Sequence, residues 1–515
     1  MNNNHSPSNR RLLLINPPLV KPSEPPAGPA KLAGFLHEND VDCRIWDANI
    51  EGILHLLNQP QTVKDTWTDR SYRHRQKNRE LIKHRELYIN GARYRRVVSD
   101  LNRILRVSAR HDGIILSLAN YEDRRLSPVK SDDLLKAAEA PQNNPFYGCF
   151  QNRLTDILDH EAPNLIGFSI NYLSQALCAF AMIGFLRSRH PSLKIVLGGG
   201  LITSWMRRPG WRSPFAGLVD DMVAGPGEDA LLSLAGKTAS SRNTLPDYRL
   251  FPTEDYFAPG FILPYSASSG CYWRRCSFCP EKAEDNPYTT VSPKEVVKNL
   301  RTLTEQTKPA LIHLLDNAVS PAHLQALIDQ PPGAPWYGFV RMTPHLADPE
   351  FCSALKKSGC VMLKIGLESG DQGVLDALQK GIDLDVARKA LKSIKKAGIA
   401  TYIYLLFGTP AESLPEAGKT LDFTVRHIDE IDFLNLAVFN LPAYGPDADS
   451  LPTSPFYEGD LSLYRAFEHP AGWNRGQVRQ FLDKEFKRHP AIAAILKNDP
   501  PFFTSNHAPF FNLED

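Results

Sequence analysis

The sequence predicts an α/β protein built on two parallel β-sheets, and three observations support this fold class. Short apolar strands alternate with helical segments in both halves of the chain. These strands are continuous apolar runs, as is typical of parallel strands that helices cover on both faces. The 515 residues are 42% hydrophobic and 23% charged, which is enough apolar material for more than one domain.

The first half predicts a Rossmann-like, doubly wound sheet over residues 1–245. Strands are predicted at 11–15, 43–46, 165–170, 193–197 and 221–224. Ligands of such sheets bind beyond the carboxyl ends of the strands, where glycines allow close approach of the backbone. Any one of these glycines is also explained by a tight turn. The residues predicted to contact a ligand there are Asn16, Asp47, Ser169, Gly198, Gly199, Gly200, Gly225 and Glu228.

Residues 57–160 interrupt this pattern and are too many for a connecting loop, so a helical insertion is predicted. Residues 64–110 contain fourteen Lys or Arg against five Asp or Glu. We interpret this basic run as the solvated face of surface helices. The alternative is that it binds RNA or another polyanion. The net charge of +2 does not favour a nucleic-acid partner.

The second half predicts a partial (β/α)6 barrel over residues 246–445. Its helix after the first strand begins with a Ser-Pro-Lys-Glu capping pattern at Ser292. Residues 446–515 are predicted to form a small helical C-terminal extension that packs on the barrel and helps to close the active site, through Trp473, Asn474, Arg475, Asn506 and His507. The predicted barrel strands are 261–268, 310–315, 336–341, 361–367, 400–407 and 431–439.

Three of the eight cysteines, Cys271, Cys276 and Cys279, fall within nine residues directly after the first barrel strand. This grouping favours a metal or redox site over a disulfide framework. Three thiolates on one loop suit an iron–sulfur cube with one iron left open, whereas a structural zinc would need a fourth ligand. Cys352 and Cys360 are the nearest candidates for that ligand, and we expect both to be small core residues.

The loop Gly270-Cys-Tyr-Trp-Arg-Arg-Cys-Ser-Phe-Cys-Pro280 resembles the cluster loop of the radical SAM superfamily. Later strand ends resemble that family in order, at Leu314 to Asn317, Gly366 to Gly370, and Phe407 to Glu412. The resemblance implies that the three cysteines hold a [4Fe-4S] cluster whose open iron binds S-adenosylmethionine (SAM). Reductive cleavage of SAM would then give a 5′-deoxyadenosyl radical.

The resemblance also implies roles for four other residues. Phe278 would lie near the adenine, and Asp316 would bind the SAM amino group, although the usual Gly-Gly-Glu pattern is absent. Glu368 would accept hydrogen bonds from the ribose hydroxyls. Arg341 would face the SAM carboxylate or the substrate. The alternative for Glu368 and Arg341 is an ion pair inside the barrel.

The first half resembles the cobalamin-binding domain of B12-dependent radical SAM enzymes, through Leu14 to Pro18 and the glycine-rich strand ends. It lacks the Asp-x-His-x-x-Gly pattern that would offer a histidine to cobalt, as does much of that branch. His55 and His160 are expected to be surface residues. Cobalamin is therefore an expected cofactor without an evident protein ligand.

Together these resemblances imply a cobalamin-dependent radical SAM enzyme that methylates an unactivated carbon of an unknown small molecule. One alternative is a radical SAM enzyme without cobalamin, which would abstract hydrogen, cyclise or rearrange. Another is a zinc-stabilised protein that binds RNA or a polyanion. An electron donor such as flavodoxin or ferredoxin is implied. The N-terminus is polar, and the longest apolar run, residues 176–186, is too short to cross a membrane as a helix. The sequence therefore predicts a cytoplasmic protein without a membrane span.

Overall fold

The computed structural model describes residues 11–109, 113–240, 244–500 and 507–511. Internal contacts divide the chain into two compact units. The first unit comprises Met1–Lys83, Arg96–Ala258 and Glu458–Ser462, and the second comprises His84–Arg95, Pro259–Tyr457 and Leu463–Asp515. The domain limits at 245 and 445 remain a prediction. Asn506 lies outside the described residues.

The first unit is built on a parallel sheet, as predicted. The central strands β1 and β5 are largely buried apolar runs, and the strands stand in the order β2-β1-β5-β6-β7. The chain places β2 on one side of β1 and then places β5, β6 and β7 on the other side. This change of side between β1 and β5 is a topological switch point, which opens a crevice at the carboxyl ends of the strands. The strands of this half, including the short hairpin β3–β4, are β1 Leu12–Asn16, β2 Cys43–Asp47, β3 Ile114–Leu116, β4 Tyr121–Asp123, β5 Leu165–Ser169, β6 Lys194–Gly198 and β7 Asp221–Met222.

The helices of this half include one, α8, whose residues Gln175 to Leu186 are all buried. A helix that is apolar all round is buried all round, which explains the longest apolar run in the sequence. Between β2 and β5 the chain after α2 forms the helices α3 to α7 and the hairpin β3–β4. The helices are α1 Ala27–Glu38, α2 Ala48–Leu57, α3 Thr66–Leu81, α4 Arg85–Ile89, α5 Gly91–Ser108, α6 Ser131–Glu139, α7 Tyr147–His160, α8 Leu173–Arg189, α9 Gly200–Met206 and α10 Glu228–Leu234.

Several cations of the basic run are held by acidic residues within the insertion. Arg70 lies 2.7 Å from the Asp100 carboxylate, and Arg103 lies 2.7 Å from that of Asp65. Asp65 also caps α3 by accepting a hydrogen bond from the Thr68 amide. These contacts support the interpretation of this segment as charged surface helices.

The second unit is built on a six-stranded parallel sheet in which spatial order follows chain order, from β8 through β11, β12, β13 and β14 to β15. This is the predicted partial barrel. The strands are β8 Ile262–Tyr265, β9 Ser268–Ser269, β10 Thr289–Thr290, β11 Leu311–Leu314, β12 Trp336–Val340, β13 Cys360–Glu368, β14 Ala400–Phe407, β15 Phe433–Val438, β16 Leu441–Pro442, β17 Thr453–Pro455 and β18 Tyr464–Phe467.

Three successive barrel helices, α12 to α14, begin with a capping side chain followed by proline. Ser292, Ser320 and Asp348 each accept a hydrogen bond from a backbone amide of the first turn. The helices of this half are α11 Pro280–Ala283, α12 Pro293–Thr307, α13 Pro321–Asp329, α14 Pro349–Lys357, α15 Gln372–Ala377, α16 Leu384–Lys396, α17 Leu414–Arg426, α18 Pro446–Ser450, α19 Arg475–Phe481 and α20 Pro490–Asn498.

The C-terminal extension is less purely helical than predicted, because β16, β17 and β18 form a small antiparallel sheet. It packs on the barrel at two places. His507 is fully buried against the rings of Tyr402 and Phe433. Trp473 donates a hydrogen bond of 3.2 Å to the buried carboxylate of Glu412, at the end of β14.

Candidate functional site

The loop that carries the three clustered cysteines follows β9 at the carboxyl end of the first barrel strand. All three are free thiols; Cys276 is buried, and Cys271 and Cys279 are partly exposed. Gly270 begins the loop with a φ of +73°, and a side chain there would lie 2.6 Å from the carbonyl oxygen of Pro287. Glycine at this position therefore lets the loop leave the strand.

The described residues include no group of three or more His, Cys, Asp or Glu side chains gathered so as to hold a metal ion. The donor set of the loop, three free thiols with the cationic side chains of Arg341 and Lys380 near Cys276, is the set that an iron–sulfur cube with one open iron takes from a protein.

Trp273, in this loop, contacts the segment that follows α15. Its indole nitrogen donates a hydrogen bond of 3.0 Å to the carbonyl of Gln379, and its ring lies directly against Gly381. The guanidinium of Arg341 lies 4.2 Å from the centre of the indole ring, a cation–π contact. Loop, strand end and helix end are thereby joined around one aromatic side chain.

Arg341 also faces the cysteine loop. Its Nη1 lies 3.9 Å from the Cys276 sulfur, and its Nη2 donates to the carbonyl of Lys380. Burial raises the pKa of the Cys276 thiol, while the charges of Lys380 and Arg341 lower it. Burial raises the pKa of Cys279 to about 11, so a metal must displace protons to bind these thiols.

Glu368 and Lys380 form a largely buried ion pair of 2.7 Å. The carboxylate reaches back over Gly366, where an added Cβ would lie 2.5 Å from Glu368 Oε1 and 2.9 Å from Lys380 Nζ. The ammonium also lies 5.5 Å from the centre of the Phe278 ring. The expected alternative for Glu368, an ion pair within the barrel, is thus present, with Lys380 as the partner.

Lys380 is a residue of this candidate site that the sequence analysis did not select. It lies three residues after α15, pairs with Glu368 of β13, and faces the cysteine loop, where it lies near the Phe278 ring and acts electrostatically on Cys276. A signal existed, since a lysine follows the helix that begins after the Gly-Leu-Glu-Ser-Gly turn. Nothing in the local sequence separates it from the many surface lysines nearby.

Asp316 is buried at the end of β11, where it holds the start of the cysteine loop. Its carboxylate accepts hydrogen bonds from the Ser268 hydroxyl and, at 3.1 Å, from the Ala267 amide. Burial raises its pKa, and these hydrogen bonds lower it. Asn317 extends the link through a hydrogen bond of 3.3 Å to the carbonyl of Gly270. Both side chains support the loop from β11.

In the first unit, Asn16 and Asp47 are buried and bound to each other at the ends of β1 and β2. The Asp47 carboxylate accepts hydrogen bonds from Asn16, at 2.8 Å, and from the Tyr256 hydroxyl, at 2.5 Å. Burial raises its pKa, and its hydrogen bonds lower it. Gln175 of α8 donates to the Asn16 side chain at 3.1 Å. Asn16, Asp47, Gln175 and Tyr256 thus form a hydrogen-bonded network at the carboxyl ends of β1 and β2.

The ends of β5 and β6 lie side by side at the crevice edge, as predicted. Asn171, which the sequence analysis did not select, joins them: it donates to Ser169 Oγ at 3.2 Å and accepts from the Gly200 amide at 2.9 Å. Gly199 has a φ of +103°, and an added Cβ would lie 2.5 Å from the carbonyl oxygen of Ile170. Gly198 is the last residue of β6 and pairs with Ser169.

The turn after β7 is less crowded. Gly225 has a φ of +76° with no atom within 4 Å of an added Cβ, and its amide donates to Thr203 Oγ1 at 2.9 Å. Glu228 is the first residue of α10 and pairs with Lys31 at 2.7 Å. Of the two histidines expected to be surface residues, His55 lies on α2 and His160 lies on α7. The side chain of His160 is 75% exposed.

Comparison with known families bears on the cysteine loop and the strand ends around it. Residues 265–424 match the radical SAM superfamily. Residues 265–424 form a radical SAM domain. The match begins at the last residue of β8 and takes in the three cysteines, Glu368 and Lys380.

The fold around the radical SAM domain is shared with solved cobalamin-dependent enzymes. The radical SAM methyltransferase TsrM from Kitasatospora setae, solved with tryptophan substrate and a SAM analogue, aligns with a TM-score of 0.53 and 16% identity, over 85% of this chain and 74% of that one. The cobalamin-dependent SAM radical enzyme OxsB with aqua-cobalamin aligns with a TM-score of 0.60 and 13% identity, over 93% of this chain and 67% of that one. The described fold is therefore of the TsrM and OxsB kind.

Two curated proteins are similar in sequence over shorter segments. The anaerobic magnesium-protoporphyrin IX monomethyl ester cyclase of Rubrivivax gelatinosus is 26% identical over 153 residues, which are 28% of this chain and 28% of the cyclase. An uncharacterised methyltransferase of Pyrococcus horikoshii is 24% identical over 204 residues, which are 38% of this chain and 43% of that protein. The chain thus matches less than half of either relative.

Across the described ranges, none of the helices combines the length and the apolar composition that crossing a bilayer requires.

Proposed function

We propose that the chain is a cobalamin-dependent radical SAM enzyme that methylates an unactivated carbon of a small molecule. The observation that carries the proposal is a radical SAM domain in a chain whose whole fold is of the TsrM and OxsB kind. The methyltransferase from Pyrococcus horikoshii among its relatives supports the same reaction class.

Cys271, Cys276 and Cys279 would bind three irons of a [4Fe-4S] cluster, which leaves one iron for SAM. When bound, the cluster supplies the electron that cleaves SAM to a 5′-deoxyadenosyl radical, and cobalamin supplies the methyl carrier. Arg341 would hold the loop closed through Trp273 and keep positive charge beside the Cys276 sulfur. That charge favours the thiolate, the form that binds iron.

Glu368 and Lys380, which lie 2.7 Å apart, would bind neighbouring polar groups of SAM. The Glu368 carboxylate accepts from two hydroxyls of a ribose, and the Lys380 ammonium, already oriented by Glu368, donates to a carboxylate. Phe278, whose ring faces Lys380, offers an apolar surface to the adenine. Asp316 would bind the SAM amino group only through a change of partner, because it now holds Ser268 and Ala267; we assign it to positioning the loop.

The crevice edge of the first unit would hold cobalamin. Ser169, Gly198, Gly199, Gly200 and Gly225 would offer backbone and hydroxyl groups without bulky side chains. Asn16 and Asp47 support this edge from within the sheet. Glu228 is already paired with Lys31, so its contribution is to fix the start of α10. A flavodoxin or ferredoxin would supply electrons.

The decisive experiment is the variant Cys276→Ala, purified and assayed without oxygen. We expect it to lose the brown cluster and to form no 5′-deoxyadenosine from SAM under reducing conditions, because one of three iron ligands is missing. Cys352→Ala is the matched control: Cys352 is also a buried free thiol, but it lies in α14 and donates to the Leu346 carbonyl. Cleavage of SAM by Cys276→Ala at the wild-type rate would refute the cluster assignment.

A further inference from the structure

A cationic side chain of the C-terminal extension lies at the carboxyl end of the barrel sheet. Arg475, the first residue of α19, is partly buried where the chain leaves β15. Its Nη1 donates hydrogen bonds to the carbonyl of Phe439, at 3.0 Å, and to the side-chain oxygen of Asn440, at 2.8 Å. Active sites of such barrels lie at the carboxyl ends of the strands. Arg475 thus brings a charged group from outside the barrel to that end.

The bonding of Arg475 leaves one edge of its guanidinium open. Phe439 and Asn440 use both hydrogens of Nη1, whereas Nε and Nη2 donate to no group in the part of the chain that the structure describes. Nε and Nη2 lie on one edge of the planar group, and their two parallel N–H bonds match the two oxygens of a carboxylate. The guanidinium carbon also lies 4.9 Å from the centre of the Phe456 ring, a cation–π contact that helps to hold it. The edge that recognises carboxylates is therefore fixed in place and available.

The charge of Arg475 has no acidic partner. Arg475 forms no ion pair with any carboxylate of the described ranges. Burial, and next the charge of Arg479 one turn along the helix, lower the pKa of the Arg475 guanidinium, while Tyr457 raises it. An arginine keeps its charge in spite of such an environment. Like charges four residues apart on a helix repel each other, so an anion in front of the open edge would offset this repulsion.

Phe439 connects Arg475 to the proposed SAM site. The ring of Phe439 is buried in a small apolar cluster, and Phe278 of the cysteine loop packs against that cluster. Phe278 is the residue proposed to face the adenine of SAM. A carboxylate held by Arg475 would therefore lie close to the SAM site, while SAM keeps Glu368 and Lys380 as its own partners.

We propose that Arg475 binds a carboxylate of the substrate through Nε and Nη2, and that Phe439 and Asn440 hold the guanidinium in position. One charge and two parallel donors match the single charge and the two oxygens of a carboxylate. This rests on the proposed function, because it names the substrate class of that barrel. Arg475 is then a specificity-determining residue that the extension supplies.

The test uses benzoate as a carboxylate probe and benzamide as its uncharged analogue. Binding to anaerobically purified, cluster-loaded protein is measured by calorimetry with SAM present, so that the SAM carboxylate occupies its own site. We expect the wild type to bind benzoate at least about 10-fold more tightly than benzamide. Arg475→Gln should abolish this preference, and Arg475→Lys should reduce it, because lysine keeps the charge but not the two parallel donors. Arg426→Gln, which removes an exposed arginine of α17, should keep it.

Three results would overturn the inference: no binding of benzoate to the wild type, equal binding of benzoate and benzamide, or an undiminished preference in either Arg475 variant. A loss of SAM affinity in Arg475→Gln would also overturn it, because the open edge would then hold the carboxylate of SAM. If Arg475→Gln fails to fold, Arg475→Lys, which keeps a donor for the Phe439 carbonyl, carries the test.

Iron content and SAM cleavage are measured in the same preparations. Their absence in the wild type would contradict the proposed function. Normal iron content and normal cleavage without a preference for benzoate would contradict only the carboxylate site.

Discussion

Lys380 shows how one side chain links the parts of the proposed SAM site. It pairs with Glu368 at 2.7 Å, faces Phe278 and acts electrostatically on Cys276. We expect Lys380→Met to weaken SAM binding about 10- to 100-fold, because a hydrogen bond to a charged group contributes about 1.5–3 kcal/mol. Equilibrium binding of SAM to cluster-loaded protein measures this change.

Lys419→Met is the control for that measurement. Lys419 pairs with Asp371 at the same distance of 2.7 Å but is 57% exposed on α17, so its loss should leave SAM affinity unchanged. Iron content must be equal in both variants. Wild-type affinity in Lys380→Met, or an equal loss in Lys419→Met, would contradict the assignment of Lys380.

Gly199 and Gly225 illustrate two different reasons for glycine at the crevice edge. Both have positive φ, but only at Gly199 would a Cβ collide with backbone, 2.5 Å from the Ile170 oxygen. We expect Gly225→Ala to lower the free energy of unfolding by about 1 kcal/mol and Gly199→Ala by about 3 kcal/mol or more. Urea unfolding of the cofactor-free proteins measures the free energy of unfolding of both variants. Equal decreases would mean that the positive φ alone, and not the collision of the added Cβ, determines the destabilisation.

Residues that act through distant partners were beyond prediction. The spacing of the three cysteines is local, so the sequence alone indicated the cluster loop. Asp47, in contrast, was expected at the ligand edge, but Tyr256 closes over it from more than 200 positions away. Asp316 is likewise engaged by Ser268 of the preceding strand end. Which groups a carboxylate meets depends on how strands return to one edge, which no local pattern contains.

The turn between β14 and α17 carries a pH-sensitive element. Glu412 is 1% exposed, and burial raises its pKa to about 7 from an ordinary value of 4.5. The native state therefore keeps a proton that the unfolded chain loses above pH 4.5. Its contribution to stability falls as the pH rises from about 4.5 to 7 and is constant above that, a loss of up to about 3 kcal/mol.

Glu412→Gln should remove this dependence while keeping a group that can accept from Trp473. The difference in Tm between the wild type and the variant should grow in favour of the variant from pH 5 to pH 8. Glu416→Gln, at a partly exposed carboxylate of the same helix start, serves as the control. A difference that stays constant with pH would show that Glu412 titrates like an exposed glutamate.

Elements were predicted best where apolar runs are long. The strand expected at 400–407 is β14 without change. The strand expected at 261–268 ends at Tyr265, because the chain then bends into the cysteine loop. The hairpin β3–β4 and the small sheet of the extension were not predicted, since strands of two to four residues are too short to show a periodicity.

At the scale of the whole molecule, the two proposed cofactors make a joint prediction. Protein purified without oxygen from cells supplied with cobalamin should contain about four irons and one cobalamin per chain. Metal analysis and visible spectra of the same sample give the ratio, and Cys276→Ala should lose iron while it keeps cobalamin. Iron without cobalamin would contradict the methyl-transfer proposal and leave hydrogen abstraction, cyclisation or rearrangement.

The insertion between β2 and β5 sets the order in which the first sheet can be made during synthesis. Leu12 pairs with Cys43 on one side but with Leu165 on the other, about 150 residues later. Closing the longer loop costs only about 1.4 kcal/mol more than closing the shorter one. At 5–20 residues per second, however, the ribosome needs roughly 6–25 s to make the intervening residues. During that time β1 has one open edge, so the nascent chain needs protection there until β5 emerges.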